Sequence, residues 1–170
     1  NKSFNFKMRN TASMYLYLDE RALRYEHALE AYKTQQNFTT LNRLYREVYR
    51  AEHSLPVYVH RRELENAVRA GRFVVVEGEV GAGKSTQLPQ YLADMDEFSE
   101  TISLCTQPCR IAAQTLAKRV SEEFRAGSTQ MANLVCYASS WADISAHNPH
   151  ICYLSEATLL KMLTSKYAKL

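Results

Sequence analysis

The sequence predicts an α/β fold, a parallel sheet with helices on both faces, preceded by an α-helical N-terminal segment. A β-branched run at 73–76 leads directly into a glycine-rich loop and then into a helix pattern. Beyond it, short apolar strands alternate with helix-length segments, a spacing typical of parallel sheets. Before it, residues 12–51 have helical composition and patterning. We therefore predict a helical extension over residues 1–54 and an α/β domain over residues 55–170.

The composition is that of an ordinary globular chain. Of 170 residues, 46% are hydrophobic and 23% charged, which excludes wholesale disorder. The net charge of +3 permits a nucleic-acid partner without requiring one. No apolar run approaches the ~20 residues of a membrane span, so we expect no membrane partner.

The cysteines lack the pairing that a zinc site or a thioredoxin-like motif would need. None of the four forms a C-x-x-C pair, and the positions are Cys105, Cys109, Cys136 and Cys152. Reduced thiols of an intracellular protein are the expectation. We predict a soluble protein of the cytoplasm or nucleus.

The N-terminal third is predicted to be helical after a loose lead-in over residues 1–12. One helix is predicted over 12–35 and a second over 40–51, where apolar residues recur at helical spacing. Its arginines, Arg43, Arg46 and Arg50, are expected on a solvated face. The many tyrosines of this region are expected to pack against neighbouring elements rather than stack on bases.

The glycine-rich loop carries the strongest chemical signal. Residues 78–86 read G-E-V-G-A-G-K-S-T, which fits the phosphate-loop pattern G-x-x-x-x-G-K-[ST] between a strand and a helix. Glycines allow the backbone N–H groups to close around an anion, and the helix directs its positive end at the same place. Lys84 supplies a charge for phosphates, and Ser85 a hydroxyl for Mg²⁺. The predicted nucleotide-binding residues are Gly78, Glu79, Val80, Gly81, Ala82, Gly83, Lys84, Ser85 and Thr86.

The remaining elements follow from periodicity and from turn residues. A helix over 60–70 is expected to end at Gly71, and a buried strand over 73–76 to follow it. The helix after the loop is expected to fade near residues 94–97. Further strands are predicted over 101–106, 133–137 and 151–154, helices over 111–124 and 155–165, and a loop over 145–149.

Several segments, in this order, resemble the DEAH-box/RNA helicase A group of superfamily 2 helicases. The loop and its extension T-Q-L-P-Q at 86–90 are similar to motif I, and residues 106–113, T-Q-P-C-R-I-A-A, to motif Ia. Residues 153–160, Y-L-S-E-A-T-L-L, look like the next RNA-contacting motif. The resemblance covers about residues 55 to 165.

The resemblance implies an incomplete RecA-like domain that uses ATP and Mg²⁺ and binds single-stranded or structured RNA, with a protein cofactor as a further partner. Lys84 and Ser85 would take the catalytic roles and Ser85 would bind the metal. The implied RNA contacts are Thr106, Arg110, Arg119, Ser155 and Glu156. On residue type alone, Thr106 could simply end a strand and Arg119 could lie on a solvated helix face.

The chain departs from the family pattern at a few positions. Val80, Ala82 and Cys109 stand where family members usually carry threonine, serine or cysteine, and arginine. Ser155 and Ala157 replace a usual threonine and glycine. No Asp-Glu-Ala-His box, Ser-Ala-Thr motif or second RecA-like domain occurs. We therefore expect a fragment of a longer helicase, or the product of a truncated gene model, that is inactive in isolation.

Two functions stay open on these grounds. One is an ATP-dependent RNA helicase, an NTP hydrolase that couples ATP hydrolysis to unwinding or translocation. The alternative is a non-catalytic nucleotide- or RNA-binding module derived from a helicase. A small-molecule kinase or GTPase is disfavoured, because it has no role for the T-Q-P segment at 106–108.

Overall fold

The computed structural model describes residues 4–6, 43, 46, 47, 50, 56–125 and 134–167. The chain divides into two compact units, Asn1–Gln87 and Leu88–Leu170. The helix predicted over residues 12–35 lies outside the described residues, and the predicted domain boundary after residue 54 stays a prediction. Within the described part of the chain, no helix is long and apolar enough to cross a membrane.

The first unit contains a two-stranded parallel sheet, two described helices that lie between its strands in the chain, and the start of a third helix. Its elements are β1 (Phe4–Phe6), α1 (Pro56–Val59), α2 (Arg61–Ala70), β2 (Val74–Val76) and the start of α3 (Lys84–Asp94). Phe4 pairs with Val74 and Phe6 with Val76. The lead-in predicted over residues 1–12 is therefore wrong at residues 4–6. Three residues are too few to show a strand period, and the pairing partner lies far along the chain.

The strand before the glycine loop is present, but the prediction that it is buried is wrong. Val75 is 48% exposed and Phe73, just outside the strand, is 76% exposed. β-branched side chains set the extended backbone, whereas burial depends on what packs against the strand. In the described residues β2 pairs with β1 alone.

Helix α2 follows the predicted pattern. Leu64 is buried at 3% exposure, and the Gly71 N–H donates to the Ala67 carbonyl over 3.1 Å where the helix ends. Gly71 has an extended backbone with φ of −148°. The predicted stop is confirmed, although Gly71 does not use the left-handed conformation.

The arginines of residues 40–51 correct another expectation. The four described residues there, Arg43, Arg46, Glu47 and Arg50, are helical. Arg46 is 4% exposed and Arg50 only 1% exposed, so these two do not lie on a solvated face. Charged side chains are buried when they find partners, and helical periodicity alone does not reveal those partners.

The second unit contains a three-stranded parallel sheet in the order β3-β5-β4. Parallel pairing was predicted for these strands, whereas the strand order was not. Its elements, after the end of α3 and a short 3₁₀ helix (Asp96–Phe98), are β3 (Ser103–Gln107), α4 (Arg110–Arg125), β4 (Val135–Tyr137), α5 (Trp141–His147), β5 (Ile151–Ser155) and α6 (Glu156–Tyr167). The loop predicted over residues 145–149 is wrong in its first part, which belongs to α5. Ser140 caps this helix by accepting from the Asp143 N–H, and Asn148 closes it with φ of 43°.

The central strand β5 divides the core of this unit into two faces. All five of its residues are buried, and alternate side chains point to opposite sides of the sheet. Ile151 and Tyr153 pack with residues of α4, whereas Cys152 and Leu154 pack with residues of α5 and α6. The prediction of a parallel sheet covered on both faces is confirmed for this unit.

Candidate nucleotide and nucleic-acid sites

Residues 78–86, which we call the glycine loop, follow β2 and include the first residues of α3. Gly81 and Gly83 adopt φ of 86° and 89°, a region that side chains with a Cβ rarely occupy. The Ala82 N–H donates to the Glu79 carbonyl over 3.3 Å, and the Gln87 N–H donates to the Gly83 carbonyl over 2.8 Å. These bonds turn the chain sharply from the strand into the first turn of the helix.

Lys84 folds back over the glycine loop. Its Nζ atom donates to the carbonyl oxygens of Gly78 at 2.6 Å and Glu79 at 2.7 Å. The ammonium group therefore lies at the concave side of the loop, where the N-terminal end of α3 also contributes positive potential. An anion entering this place would give the ammonium group negatively charged acceptors instead of two neutral carbonyl oxygens.

The local charge makes Lys84 decisive for any anion. Between residues 77 and 86 the chain carries two carboxylates, Glu77 and Glu79, and this one lysine, a formal charge of −1. Without Lys84 the same segment would carry −2. Within this segment, attraction to phosphate therefore comes from this ammonium group together with backbone N–H groups.

The two hydroxyl residues after Lys84 have different environments. Ser85 is exposed in the first turn of α3, whereas Thr86 is 8% exposed and its hydroxyl donates to the Gly83 carbonyl over 3.1 Å. A single hydroxyl suits Mg²⁺, which keeps most of its waters and takes its remaining ligands from phosphates. Ser85 fits such a role, and Thr86 instead holds the loop.

A cavity of about 650 Å³ lies against the loop, a volume usual for small-ligand sites. Its described lining consists of Pro56, Glu77, Gly78, Glu79, Val80, Gly81 and Ala82. Val80 projects fully into solvent, while Ala82 is 4% exposed. Of the positions that depart from the family pattern, Ala82 thus packs inward and Val80 stands at the open tip.

Contacts from earlier in the chain hold the loop and its helix. The Val57 N–H of α1 donates to the Ala82 carbonyl over 3.2 Å. Arg50 Nε donates to Gln87 Oε1 over 2.9 Å in a buried site, and Gln87 Nε2 reaches the Thr86 hydroxyl at 3.4 Å. The N-terminal residues are thereby connected to the first turns of α3.

Glu47 joins these contacts into a network. Its carboxylate accepts from Arg50 Nη1 at 2.5 Å and from the Tyr58 hydroxyl at 2.9 Å, and it also accepts from Arg61. Arg61 Nε donates to Glu65 at 2.6 Å. The buried charge of Arg50 is therefore paired with the Glu47 carboxylate, and Arg50 is also hydrogen-bonded to Gln87. Buried charges require such partners.

In the second unit, the carboxyl ends of β3 and β5 place two predicted RNA contacts at the same edge of the sheet. Thr106 pairs with Leu154 and Gln107 with Ser155, so Thr106 and Ser155 lie at the same edge. Thr106 is exposed, as is Glu156 in the first turn of α6. Ser155 is 4% exposed, and its hydroxyl lies 2.8 Å from the Thr158 hydroxyl and accepts from the Thr158 N–H, so it caps α6.

Arg110 lies at this edge as the first residue of α4. Its Nε atom donates to the Tyr137 hydroxyl, at the end of β4, over 3.2 Å. This hydrogen bond raises the pKa of Arg110, and an arginine guanidinium is charged with or without that shift. The structure thus brings together Thr106, Arg110, Ser155 and Glu156 as residues at the carboxyl ends of neighbouring strands.

Arg119 is not part of that group. It lies nine residues further along α4, about 13 Å by the rise of a helix, and its Nε atom donates to Glu123 over 3.1 Å. Glu123 also accepts from Gln90 Nε2 at 3.0 Å. Arg119 thus has an ion-pair partner on an exposed helix face, which explains its position without an RNA contact. Its predicted RNA contact stays a prediction.

The sequence did not predict the contacts that Arg50, Val57 and Tyr137 make at these sites. The contact of Arg50 with Gln87 spans 37 positions in the chain, and nothing local indicates it. The Glu47–Arg50 spacing of three residues is a signal for a helical ion pair, but it does not show that the pair is buried.

The first unit contains strand, glycine loop and helix start in this order, and the second contains a parallel sheet with helices. These elements are those of an incomplete α/β domain of the RecA-like class, as predicted. No protein-family model matches the chain. The chain is 36% identical over 116 residues to the ATP-dependent RNA helicase DEAH12, chloroplastic, and 35% identical over the same length to DEAH11, chloroplastic, both of Arabidopsis thaliana. The matched part is 68% of this chain and 6% of each relative.

These relatives confirm the resemblance predicted from the sequence. The chain contains a helicase-derived region of DEAH type. It spans about 6% of the length of the curated relatives it matches. The activities of those whole proteins are therefore known for the relatives and are only proposals for this chain.

Proposed function

We propose that this region is the phosphate-binding and RNA-contacting part of an ATP-dependent RNA helicase. The glycine loop binds the phosphates of ATP, and the carboxyl edge of the three-stranded sheet binds the sugar-phosphate backbone of RNA. In a whole helicase, ATP hydrolysis would be coupled to RNA unwinding or translocation. A setting in the cytoplasm or nucleus and a protein cofactor remain part of the proposal.

The position of Lys84 carries the nucleotide half of the proposal. Its Nζ atom lies 2.6 and 2.7 Å from two loop carbonyls, beside two glycines with positive φ and the first turn of α3. Bound ATP would bring its own Mg²⁺, for which Ser85 supplies a hydroxyl. The residues of this chain would bind and orient the phosphates, with Lys84 opposing their charge.

The RNA half rests on the edge formed by Thr106, Arg110 and Ser155. An exposed guanidinium and an exposed hydroxyl can donate to phosphate oxygens, and such contacts hold the strand without reading its sequence. Cys109, in place of the arginine usual in the family, leaves Arg110 as the cation at that turn. Glu156 would repel phosphate unless it accepts from a sugar hydroxyl, which favours RNA over DNA.

The alternative is a non-catalytic module that binds nucleotide or RNA. It is favoured by Val80, Ala82 and Cys109, which depart from the family pattern without removing Lys84 or Ser85. Both functions predict binding, so ATP turnover by the whole protein, rather than by this region alone, separates them. For the 170 residues alone we expect ATP binding without measurable hydrolysis, and hydrolysis that Lys84→Ala abolishes would contradict this expectation.

The RNA half is tested by fluorescence anisotropy with a labelled single-stranded RNA at several salt concentrations. Arg110→Ala should weaken binding and lower the slope of log affinity against log salt by about 0.7, the value for one phosphate contact on a single strand. Lys118→Ala removes an exposed charge of the same helix, away from the sheet edge, and should leave the slope unchanged. Equal effects of the two variants would contradict a site at this edge.

A further inference from the structure

Two cysteines lie side by side on neighbouring strands of the second unit. Cys136 of β4 is the register partner of Cys152 of β5. Register partners of adjacent parallel strands point to the same face of the sheet, and the strands lie about 4.7–4.9 Å apart. That separation falls within the Cα–Cα range of about 4.4–6.8 Å that a disulfide requires.

The other two cysteines are excluded from this pairing by position. Cys105 of β3 pairs with Tyr153, so it points to the opposite face of the sheet from Cys152. Cys109 is exposed in the turn before α4, beyond the end of β3. Of the four cysteines, only Cys136 and Cys152 are register partners.

The surroundings of the pair are apolar and enclosed. Both thiols belong to the cluster under α5 and α6, with Ala138, Ile144, Leu154 and Met162. Cys152 is fully buried, whereas Cys136 is partly exposed. A small oxidant can therefore reach Cys136 first, and Cys152 is held where it meets the oxidised sulfur.

We propose that Cys136 and Cys152 form a redox modification site, which a peroxide converts to an intrachain disulfide that thiol reductants reverse. This proposal is independent of the proposed function, because it rests on the register of β4 and β5. It assigns the first reaction to Cys136 and the second to Cys152.

The acid–base properties of the thiols agree with this order. A hydrogen bond from Cys152 lowers the pKa of Cys136, and the charge of His147 lowers it further, while burial and Asp143 oppose the shift. The same hydrogen bond, together with burial, raises the pKa of Cys152. The thiolate is the nucleophile in these reactions, so Cys136 is the sulfur that attacks.

The chemistry balances with peroxide as the only co-reactant. The Cys136 thiolate attacks one peroxide oxygen, the O–O bond breaks, and hydroxide leaves, giving a sulfenic acid. The Cys152 sulfur then attacks the Cys136 sulfur, the S–O bond breaks, and the oxygen leaves as water with the Cys152 proton. Two thiols are oxidised to one disulfide, and one hydrogen peroxide is reduced to two waters.

The test treats the folded chain with hydrogen peroxide, alkylates free thiols after denaturation, and maps the peptides by mass spectrometry. Cleavage at Asp143, the one acidic residue between the two cysteines, separates them unless a disulfide joins them. We expect a disulfide-linked peptide pair that dithiothreitol separates. Before this reduction, Cys136 and Cys152 should have lost their alkylation. Full alkylation of both cysteines after peroxide, or a disulfide that joins other cysteines, would overturn the proposal.

Variants assign the order of reaction. Cys152→Ser should leave a sulfenic acid at Cys136 that a dimedone probe labels several-fold more than Cys105. Cys105→Ser is the matched control and should form the same disulfide as the unchanged chain. Stronger labelling of Cys105 than of Cys136 in Cys152→Ser would contradict the assigned order. The experiment on the unchanged chain decides the proposal even where a variant does not fold.

Discussion

Arg50 Nε donates a hydrogen bond to Gln87 Oε1 over 2.9 Å, and each of the two residues is only 1% exposed. Gln87 follows the glycine loop in the first turns of α3, while Arg50 comes from the N-terminal helical residues. Arg50 also contacts Glu47, which accepts from Tyr58. These N-terminal residues are therefore part of the structure that supports the loop.

Replacing Arg50 should destabilise the chain strongly. Arg50→Ala removes the buried donor that Gln87 and Glu47 share, and the loss of one member of a buried charged pair costs about 3 kcal/mol. Chemical denaturation measures the loss. Arg69→Ala, in an exposed position of α2, is the matched control and should change the free energy of unfolding by less than about 0.5 kcal/mol.

The contact itself is tested by a double-mutant cycle of Arg50→Ala with Gln87→Ala. Residues in direct contact show coupling of about 0.5–3 kcal/mol, whereas independent sites add. We expect the double variant to be clearly less destabilised than the sum of the two single variants. Additive effects would show that the two side chains act separately.

Gly81 should be required for its backbone conformation rather than for space. Its φ is 86°, and an added Cβ would meet nothing within 4 Å. Gly81→Ala therefore tests backbone strain alone, and we expect a cost of about 1–2 kcal/mol in denaturation together with weaker nucleotide binding. Gly71→Ala is the matched control, because Gly71 has an extended φ and its Cβ would lie 3.5 Å from the Phe73 carbonyl. Equal effects of the two alanines would contradict this explanation.

Asp143 should give the chain a distinct acid sensitivity. Hydrogen bonds from the Ser139 N–H at 2.7 Å and hydroxyl at 2.8 Å lower the pKa of Asp143. A carboxyl whose pKa is lower in the folded than in the unfolded state contributes stability above its ordinary value of about 3.9, and that stability disappears as the pH falls through the folded value. NMR titration of the carboxyl should find a midpoint below this ordinary value.

The matched variant for that titration is Asp143→Asn. Its thermal unfolding should depend less on pH in the acidic range than that of the unchanged chain. A normal Asp143 midpoint, or an unchanged pH dependence in the variant, would contradict the role given to these hydrogen bonds.

Local patterns predicted the elements whose signals lie within a few residues. The glycine loop, the position of Lys84 and the alternation in the second unit could be read from spacing, because each depends on near neighbours in the chain. Helix α5 was not predicted, because its seven residues are too few to show a helical period. Ser140 and Asp143 do have capping spacing, and the helix ends at Asn148.

Long-range packing could not be read in the same way. The pairing of Phe4–Phe6 with Val74–Val76 and the burial of Arg50 depend on partners far along the chain. The β-branched run predicted a strand but not its exposure, because burial is decided by neighbouring elements. The register of Cys136 with Cys152 likewise depends on how β4 aligns with β5.

The most direct test of the account is ATP binding by the 170-residue chain in the presence of Mg²⁺, followed with a fluorescent ATP analogue and competed with unlabelled ATP. We predict weak binding that Lys84→Ala reduces at least tenfold, because the segment 77–86 then carries only negative side-chain charge. Lys118→Ala, which removes an exposed lysine from α4, should bind as the unchanged chain does. Equal affinity of the Lys84→Ala and unchanged chains, or no competable binding by the unchanged chain, would contradict a nucleotide site at the glycine loop.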